Sequence, residues 1–463
     1  MVAATATLLA QDPAWPGFRG PNGSGVGTQA RPPVGLGPTN HVLWASDVPW
    51  SPSSPAIAGE RVFLTTFADG KLETRAYATR DGQVLWRRAA PAEQLEDYHA
   101  TAGSPAAGTP TTDGRHVVSY FGSSGLLCYD VEGRELWQLR LPVAETHGAF
   151  GSGTSPLLVG NRVILNRDVI SGSSILAVDV ETGKRLWETP RPEVATSYST
   201  PVLWREAGWE EIVVAGALVM KAYDLANGSE RWQVRGLPAA ACTTPVVGDG
   251  LLLFAGWGPG QADAPFPSWE EMLKKDDKNG DGWLGADEVE GGAAVLKSFD
   301  FDKNGRLEQP DWDRLTGMLA RGENCLLAIR PGGQGDVTES HVAWKATRGL
   351  PYVPSPLYYE SRIYLVKDGG IVSCFDAKTG EPCYLQERLT KAEGTYYASP
   401  VAADGHLYFA SLKGVLTVVK AGGSEPEIVH QADFKERIDA TPALVGDRLY
   451  LRTKTKLYAF QRP

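Results

Sequence analysis

The sequence predicts an all-β protein: an eight-bladed β-propeller closed by its N-terminal strand, with one small α-helical insert. Three observations predict it. A Ser/Thr-Pro step followed by apolar residues returns eight times, a Gly-x-x-x-Trp element follows several of these steps, and one acidic segment breaks the rhythm.

The steps are Ser54-Pro55, Thr109-Pro110, Ser155-Pro156, Thr200-Pro201, Thr244-Pro245, Ser355-Pro356, Ser399-Pro400 and Thr441-Pro442. Their spacings are 55, 46, 45, 44, 111, 44 and 42 residues. A period in the mid-forties is that of a four-stranded propeller blade. Within a period, a third β-rich run ends in Asp, as at Asp179, Asp224 and Asp376. A glycine turn then leads to a fourth strand with an aromatic residue four positions later: Gly82 to Trp86, Gly133 to Trp137, Gly183 to Trp187, Gly228 to Trp232 and Gly380 to Tyr384. One blade cannot bury both of its faces, so it must stack on its neighbours, and the ring fills the contact.

The last repeat stops after three strands. His41-Val-Leu-Trp44 has the sequence of the missing fourth. A strand within residues 40–50 is therefore expected to complete blade eight and remove the exposed sheet edge.

The Asp…Gly-x-x-x-Trp repeat resembles the PQQ-like propeller superfamily, which includes quinoprotein alcohol dehydrogenases and the outer-membrane assembly factor BamB. The segment from Trp15 to Val26 is similar to the start of bacterial secreted proteins of this group. The resemblance implies the fold, and two kinds of activity: a binding or scaffolding module, or a PQQ-dependent dehydrogenase. A quinoprotein of the family carries adjacent cysteines under its quinone. Here Cys128, Cys242, Cys325, Cys374 and Cys383 are all separate, so PQQ is not the expected cofactor.

Composition narrows the partners. The net charge of −10 disfavours nucleic acid. Beyond the N-terminus no apolar run is long enough to span a bilayer. Residues 1–12 are small and apolar, like the end of a secretory leader or a disordered tail, and place the protein in the periplasm or outside the cell. Cys374 and Cys383 flank one hairpin turn and are expected opposite each other, either bridged or reduced.

Of the net charge, −8 falls between Asp263 and Asp313, where fourteen acidic residues meet six basic ones. This segment fills the long interval. Asp277, Asn279 and Asp281 stand at positions 1, 3 and 5 of an EF-hand loop, Gly282 at 6, Trp283 at 7 with its carbonyl, and Glu288 at 12. A second loop has Asp300, Asp302, Asn304 and Arg306 at the same places, with the shorter Asp311 at position 12. Calcium, one ion or two, is the expected cofactor, and the second site is expected to be the weaker. Leu284 should pair with its equivalent in the second loop. Flanking helices are expected at 268–275, 286–299 and 312–320.

The domains read as a leader (1–12), propeller (13–258), EF-hand pair (259–322) and propeller again (323–463). The insert falls between the second and third strands of blade five, on the face of the inter-blade loops. Those loops carry Trp50, His99, His147, Tyr198, Tyr352, Tyr396, Arg437 and Asp439 just before the Ser/Thr-Pro steps. Together they form a candidate site for a small molecule, glycan or protein. A carbohydrate-active enzyme using this ring of His and Tyr side chains stays open as an alternative to a binding module.

Overall fold

The structure is a computed structural model that describes residues 14–206, 208–259 and 266–462. The expected leader lies outside the described residues.

Eight antiparallel sheets carry the chain. Blade one is formed by Ala56–Ala58, Arg61–Ala68, Lys71–Ala78 and Val84–Ala90. The pattern repeats around the ring to blade eight. There Ala443–Val445, Arg448–Arg452 and Lys456–Gln461 are joined by Val42–Asp47. Its register, Ala45 opposite Tyr458 and Asp47 opposite Lys456, closes the circle as expected.

The repeated residues owe their places to contacts between blades. The backbone N–H of Ser54 donates to the Thr109 hydroxyl (2.9 Å), and that of Thr109 to Ser155 (3.0 Å). The series continues through Thr200, Thr244, Ser355, Ser399 and Thr441, whose N–H returns to the Ser54 hydroxyl at 3.0 Å. Eight buried hydroxyls thus link eight blades in one closed ring of hydrogen bonds. An aliphatic residue at any of these positions would leave a buried donor unpaired.

The tryptophans make a second seam. Trp86 Nε1 donates to the Val131 carbonyl of the next blade (2.9 Å), Trp137 to Val180 (2.7 Å), Trp187 to Leu225 (3.2 Å) and Trp44 to Thr79 (2.8 Å). Each ring lies flat on the turn glycine of that neighbour. A Cβ on Gly133 would stand 2.6 Å from Trp86, and one on Gly183 2.6 Å from Trp137. These glycines also hold positive φ, 83° and 68°. The Asp before each turn accepts the turn's N–H groups, as Asp376 does from Lys378 and Thr379.

Trp232 breaks the pattern. Blade five has no glycine turn for it, because its third and fourth strands are joined by a longer excursion. Gly335–Asp336 of that excursion adds a parallel fifth strand to blade four. Trp232 donates instead to Glu211 of its own blade at 2.7 Å.

Three helices form the insert: α1 (Trp269–Asp276), α2 (Gly292–Phe299) and α3 (Gln309–Leu319). They leave blade five after Leu251–Gly256 and return at Cys325–Ile329, the place expected. Ser268 and Glu271 cap α1 reciprocally. The middle helix starts at Gly292 rather than at 286. Gly291 and Gly292 sit at φ 88° and 67°, a conformation that interrupts a right-handed helix. All five cysteines are free thiols; across the hairpin Cys374 is in backbone register with Tyr384, while the Cys374 and Cys383 side chains meet as reduced groups. Among the described residues no helix is long and apolar enough to cross a membrane.

Candidate binding cavity and candidate metal loops at the channel mouth

The N-terminal segment crosses the ring on the side of the first strands. Trp15 bridges Ile57 of blade one, Thr112 N–H donates to the Pro16 carbonyl, Asn22 pairs with Leu203 of blade four, and Val26 bridges Ala402 of blade seven. Phe18 of this segment lines a cavity of about 640 Å³. The hydroxyl ring contributes Ser54, Thr109, Ser155, Ser399 and Thr441 to the same cavity. The insert covers it from the other side with Phe266, Phe299, Trp312, Leu315, Met318 and Leu319. Plug, ring and insert therefore line one volume.

Of the expected mouth residues, His147, Tyr198, Tyr352 and Asp439 line the cavity. His147 stacks on Phe299 of the insert at 5.9 Å, with the planes 4° apart. Trp50 and Arg437 stand behind Asp439. Trp50 Nε1 donates to its Oδ2 (3.1 Å), and Arg437 Nε reaches both carboxylate oxygens. Arg437 also lies over the Trp50 ring at 5.3 Å. Two more of these residues do not reach the cavity wall. His99 stands one layer back, stacked on Phe150 at 5.5 Å, and Phe150 takes the place on the cavity wall. Tyr396 is buried and donates its hydroxyl to the Ala392 carbonyl (2.7 Å), while its neighbour Tyr397 lines the cavity.

Sequence reasoning missed Phe18, Phe150, Cys242 and Tyr397. Burial pushes the Cys242 thiol up to about 12, which favours its neutral form at the cavity wall. It also missed Glu96, which is 2% exposed and sits behind the cavity-lining Ser152. Ser152 donates its hydroxyl (2.7 Å) and its N–H (2.9 Å) to Glu96 Oε2. Burial raises the Glu96 carboxyl from 4.5 to about 7, against the opposing pull of Ser152 and Arg167. The folded state thus holds this proton more tightly than the unfolded chain does. Stability from this group is complete below about pH 4.5 and is lost as the pH rises through about 7. The loss is about 3 kcal/mol for a shift of this size. Glu96→Gln, which mimics the protonated form, should flatten this slope and raise the melting temperature at pH 8 by a few degrees. Parallel melting curves of wild type and variant from pH 5 to 8 check it.

The two acidic loops share one hydrogen-bond pattern. Asp277 accepts the N–H groups of Gly280 (2.7 Å) and Gly282 (3.1 Å). Asp300 accepts those of Asn304 (3.0 Å) and Gly305 (2.7 Å). Asn279 and Asn304 accept the N–H two residues on, and Asp281 accepts that of Trp283. Glu288 turns inward to the N–H groups of Lys278 (2.8 Å) and Gly285 (3.0 Å), and these donors hold its carboxyl below the usual range. Asp311 likewise accepts the N–H groups of Phe301 (3.0 Å) and Glu308 (3.2 Å). Leu284 and Leu307 exchange both backbone hydrogen bonds at 3.0 Å and join the loops. At position 7 of each loop, Arg306 stacks over Trp283 at 5.6 Å. The second loop gathers its carboxylates: oxygens of Asp300, Asp302 and Asp311 lie within 4.8 Å of one another. Among the described residues this is the one such group of three, although the sequence ranked the first loop higher. Asp311 is held inward as the third residue of α3, where it also caps the helix.

The comparisons with known proteins agree with this geometry. A family model described as outer membrane protein assembly factor BamB matches residues 34–109 and 101–256. Among solved structures, BamB from Moraxella catarrhalis is 15% identical, with a TM-score of 0.56 over 90% of this chain and 98% of that one. The computationally designed Ika8 protein is 13% identical, with a TM-score of 0.57 over 91% and 99%. A europium-containing methanol dehydrogenase is 10% identical, with a TM-score of 0.60 over 97% and 98%. No curated protein sequence matches significantly. At these identities the structures speak for the fold, and the repeat and the closing strand agree with them: the chain is an eight-bladed β-propeller of PQQ-like fold, and its residues 34–256 resemble the BamB family model.

Proposed function

We propose that this propeller is an exported, calcium-binding module that holds a small ligand with an apolar body at its channel mouth, under the roof formed by the insert. The observation that carries the reading is the aromatic-lined cavity itself. Its volume, about 640 Å³, falls within the roughly 300–1,000 Å³ of small-molecule sites. Three separate parts of the chain meet to form its walls. Export rests on the leader-like sequence of residues 1–12.

The lining argues against the dehydrogenase alternative. PQQ is a tricarboxylate, and a buried carboxylate needs cationic or multiple N–H partners. Among the described residues that line the cavity there is neither Lys nor Arg, and the one formal charge is the Asp439 carboxylate. These residues do not fit the quinone.

Calcium is supported by the matched loops, by the Leu284–Leu307 bridge and by the gathered carboxylates of Asp300, Asp302 and Asp311. Bound calcium would offset the local repulsion among the acidic side chains and stiffen the roof. Calorimetric titration of the full chain should show calcium uptake. Glu288→Gln should weaken the first site roughly tenfold or more while the β signal in circular dichroism persists. No heat of binding in the wild type would end the calcium reading, and a lost β signal in the variant would show that ring and insert fold as one. The cavity half is tested separately with 4-phenylbutanol, a neutral aromatic alcohol that should bind near one per chain.

A further inference from the structure

We infer that the ligand of this cavity is an organic cation, an amine or quaternary ammonium group carried on an apolar or aromatic body. The inference rests on the binding reading above and names the chemistry of its ligand.

Nine aromatic side chains line the cavity, the imidazole of His147 among them. Phe18 comes from the plug, Phe150, Tyr198, Tyr352 and Tyr397 from the mouth loops, and Trp312 from the roof. Ring faces carry negative potential and attract a desolvated cation, most strongly when several surround it. An anion placed among them would be repelled. Aliphatic packing alone would make no distinction between charges, so the density of rings is the informative feature.

The fixed charges point the same way. Asp439 is the one charged side chain in the described lining. Arg437 pairs with Asp439 but is anchored outside the cavity, where its Nη1 donates to the Thr101 carbonyl at 3.1 Å. Arg314 and Arg321 line a neighbouring cleft that shares His147, Ala195 and Met318 with the cavity wall, and Arg314 is drawn to the Phe301 ring at 4.2 Å. The roof itself belongs to the segment that carries fourteen acidic against six basic residues. Such a field raises the local concentration of cations at the mouth and lowers that of anions.

Three probes of one shape separate the possibilities: 4-phenylbutyltrimethylammonium, 4-phenylbutanol and 4-phenylbutanoate, titrated into the full chain in saturating calcium. The cation should bind about tenfold more tightly than the alcohol, and the carboxylate more weakly than either. Tyr397→Leu should cut the advantage of the cation severalfold while leaving the alcohol within about twofold, since it removes a ring face and keeps an apolar group. Asp439→Asn should act in the same direction through charge. Equal affinities for cation and alcohol would overturn the inference and leave the binding module standing. Tightest binding of the carboxylate, lost in Arg314→Ala or Arg321→Ala, would overturn it in favour of the neighbouring cleft. Failure of all three probes to bind would remove both readings.

Discussion

Trp137→Ala is expected to lower the stability of the protein by about 3–5 kcal/mol, the usual cost of emptying a large aromatic site in a core. The ring is 9% exposed, although it sits on the outermost strand of blade two. It is covered because blade three lies on it, with Gly183 flat against the indole and Val178 and Leu176 beside it. Its Nε1–H satisfies the Val180 carbonyl at 2.7 Å. Truncation leaves a void that Gly183 cannot fill, and an acceptor without its donor. Trp137→Phe keeps much of the packing and loses the bond, so it should cost less, with about 1 kcal/mol assigned to the bond. Trp232→Ala should differ in kind, because its N–H serves the Glu211 carboxyl, whose burial already raises its pKa. Equilibrium unfolding in urea reads all three. A loss below about 1 kcal/mol for Trp137→Ala would show that the blades do not depend on this seam.

This seam was legible because it repeats. The glycine-to-tryptophan spacing is a local pattern, and its partner is always the next copy of the same pattern. The Ser/Thr-Pro steps were legible as a period for the same reason, although their closed ring of hydrogen bonds appears only in three dimensions. The closing strand at 42–47 could be inferred because blade eight lacked one strand and the N-terminus had one to spare. The plug was not legible. Trp15, Pro16, Asn22 and Val26 pair with residues in four different blades, and the segment has no periodicity to announce them. The choice of Tyr397 over Tyr396 was out of reach too. Two adjacent tyrosines in an irregular loop offer no alternation from which to tell wall from core. The roof depended on how an independent insert docks, which the stacking of His147 on Phe299 decides and neither residue's neighbours in sequence reveal.

The second large effect is expected at Asp168, whose carboxylate is buried with the guanidinium of Arg191. Both side chains are wholly inaccessible, with Arg191 Nε 2.7 Å from Oδ1 and Nη2 3.2 Å from Oδ2. Arg191 also donates to the Tyr223 hydroxyl (2.6 Å), and the Ser197 hydroxyl donates to Asp168. Asp168→Ala strands a buried cation and should cost about 3–5 kcal/mol. Removing both charges, as in Asp168→Leu with Arg191→Met, should recover most of that loss, because a buried pair contributes little beyond the cost of desolvating it. Its value lies in position. The pair anchors both ends of the loop 191–198, which carries Ala195, Thr196 and Tyr198 to the cavity wall, where Thr196 Oγ1 accepts the His147 N–H at 3.2 Å. The double variant should therefore unfold near the wild-type midpoint yet bind 4-phenylbutanol several times more weakly, since Ser197 has lost its acceptor and the wall its fixed position. Full binding by a stable double variant would mean that packing alone sets the wall and that the ion pair can be dispensed with.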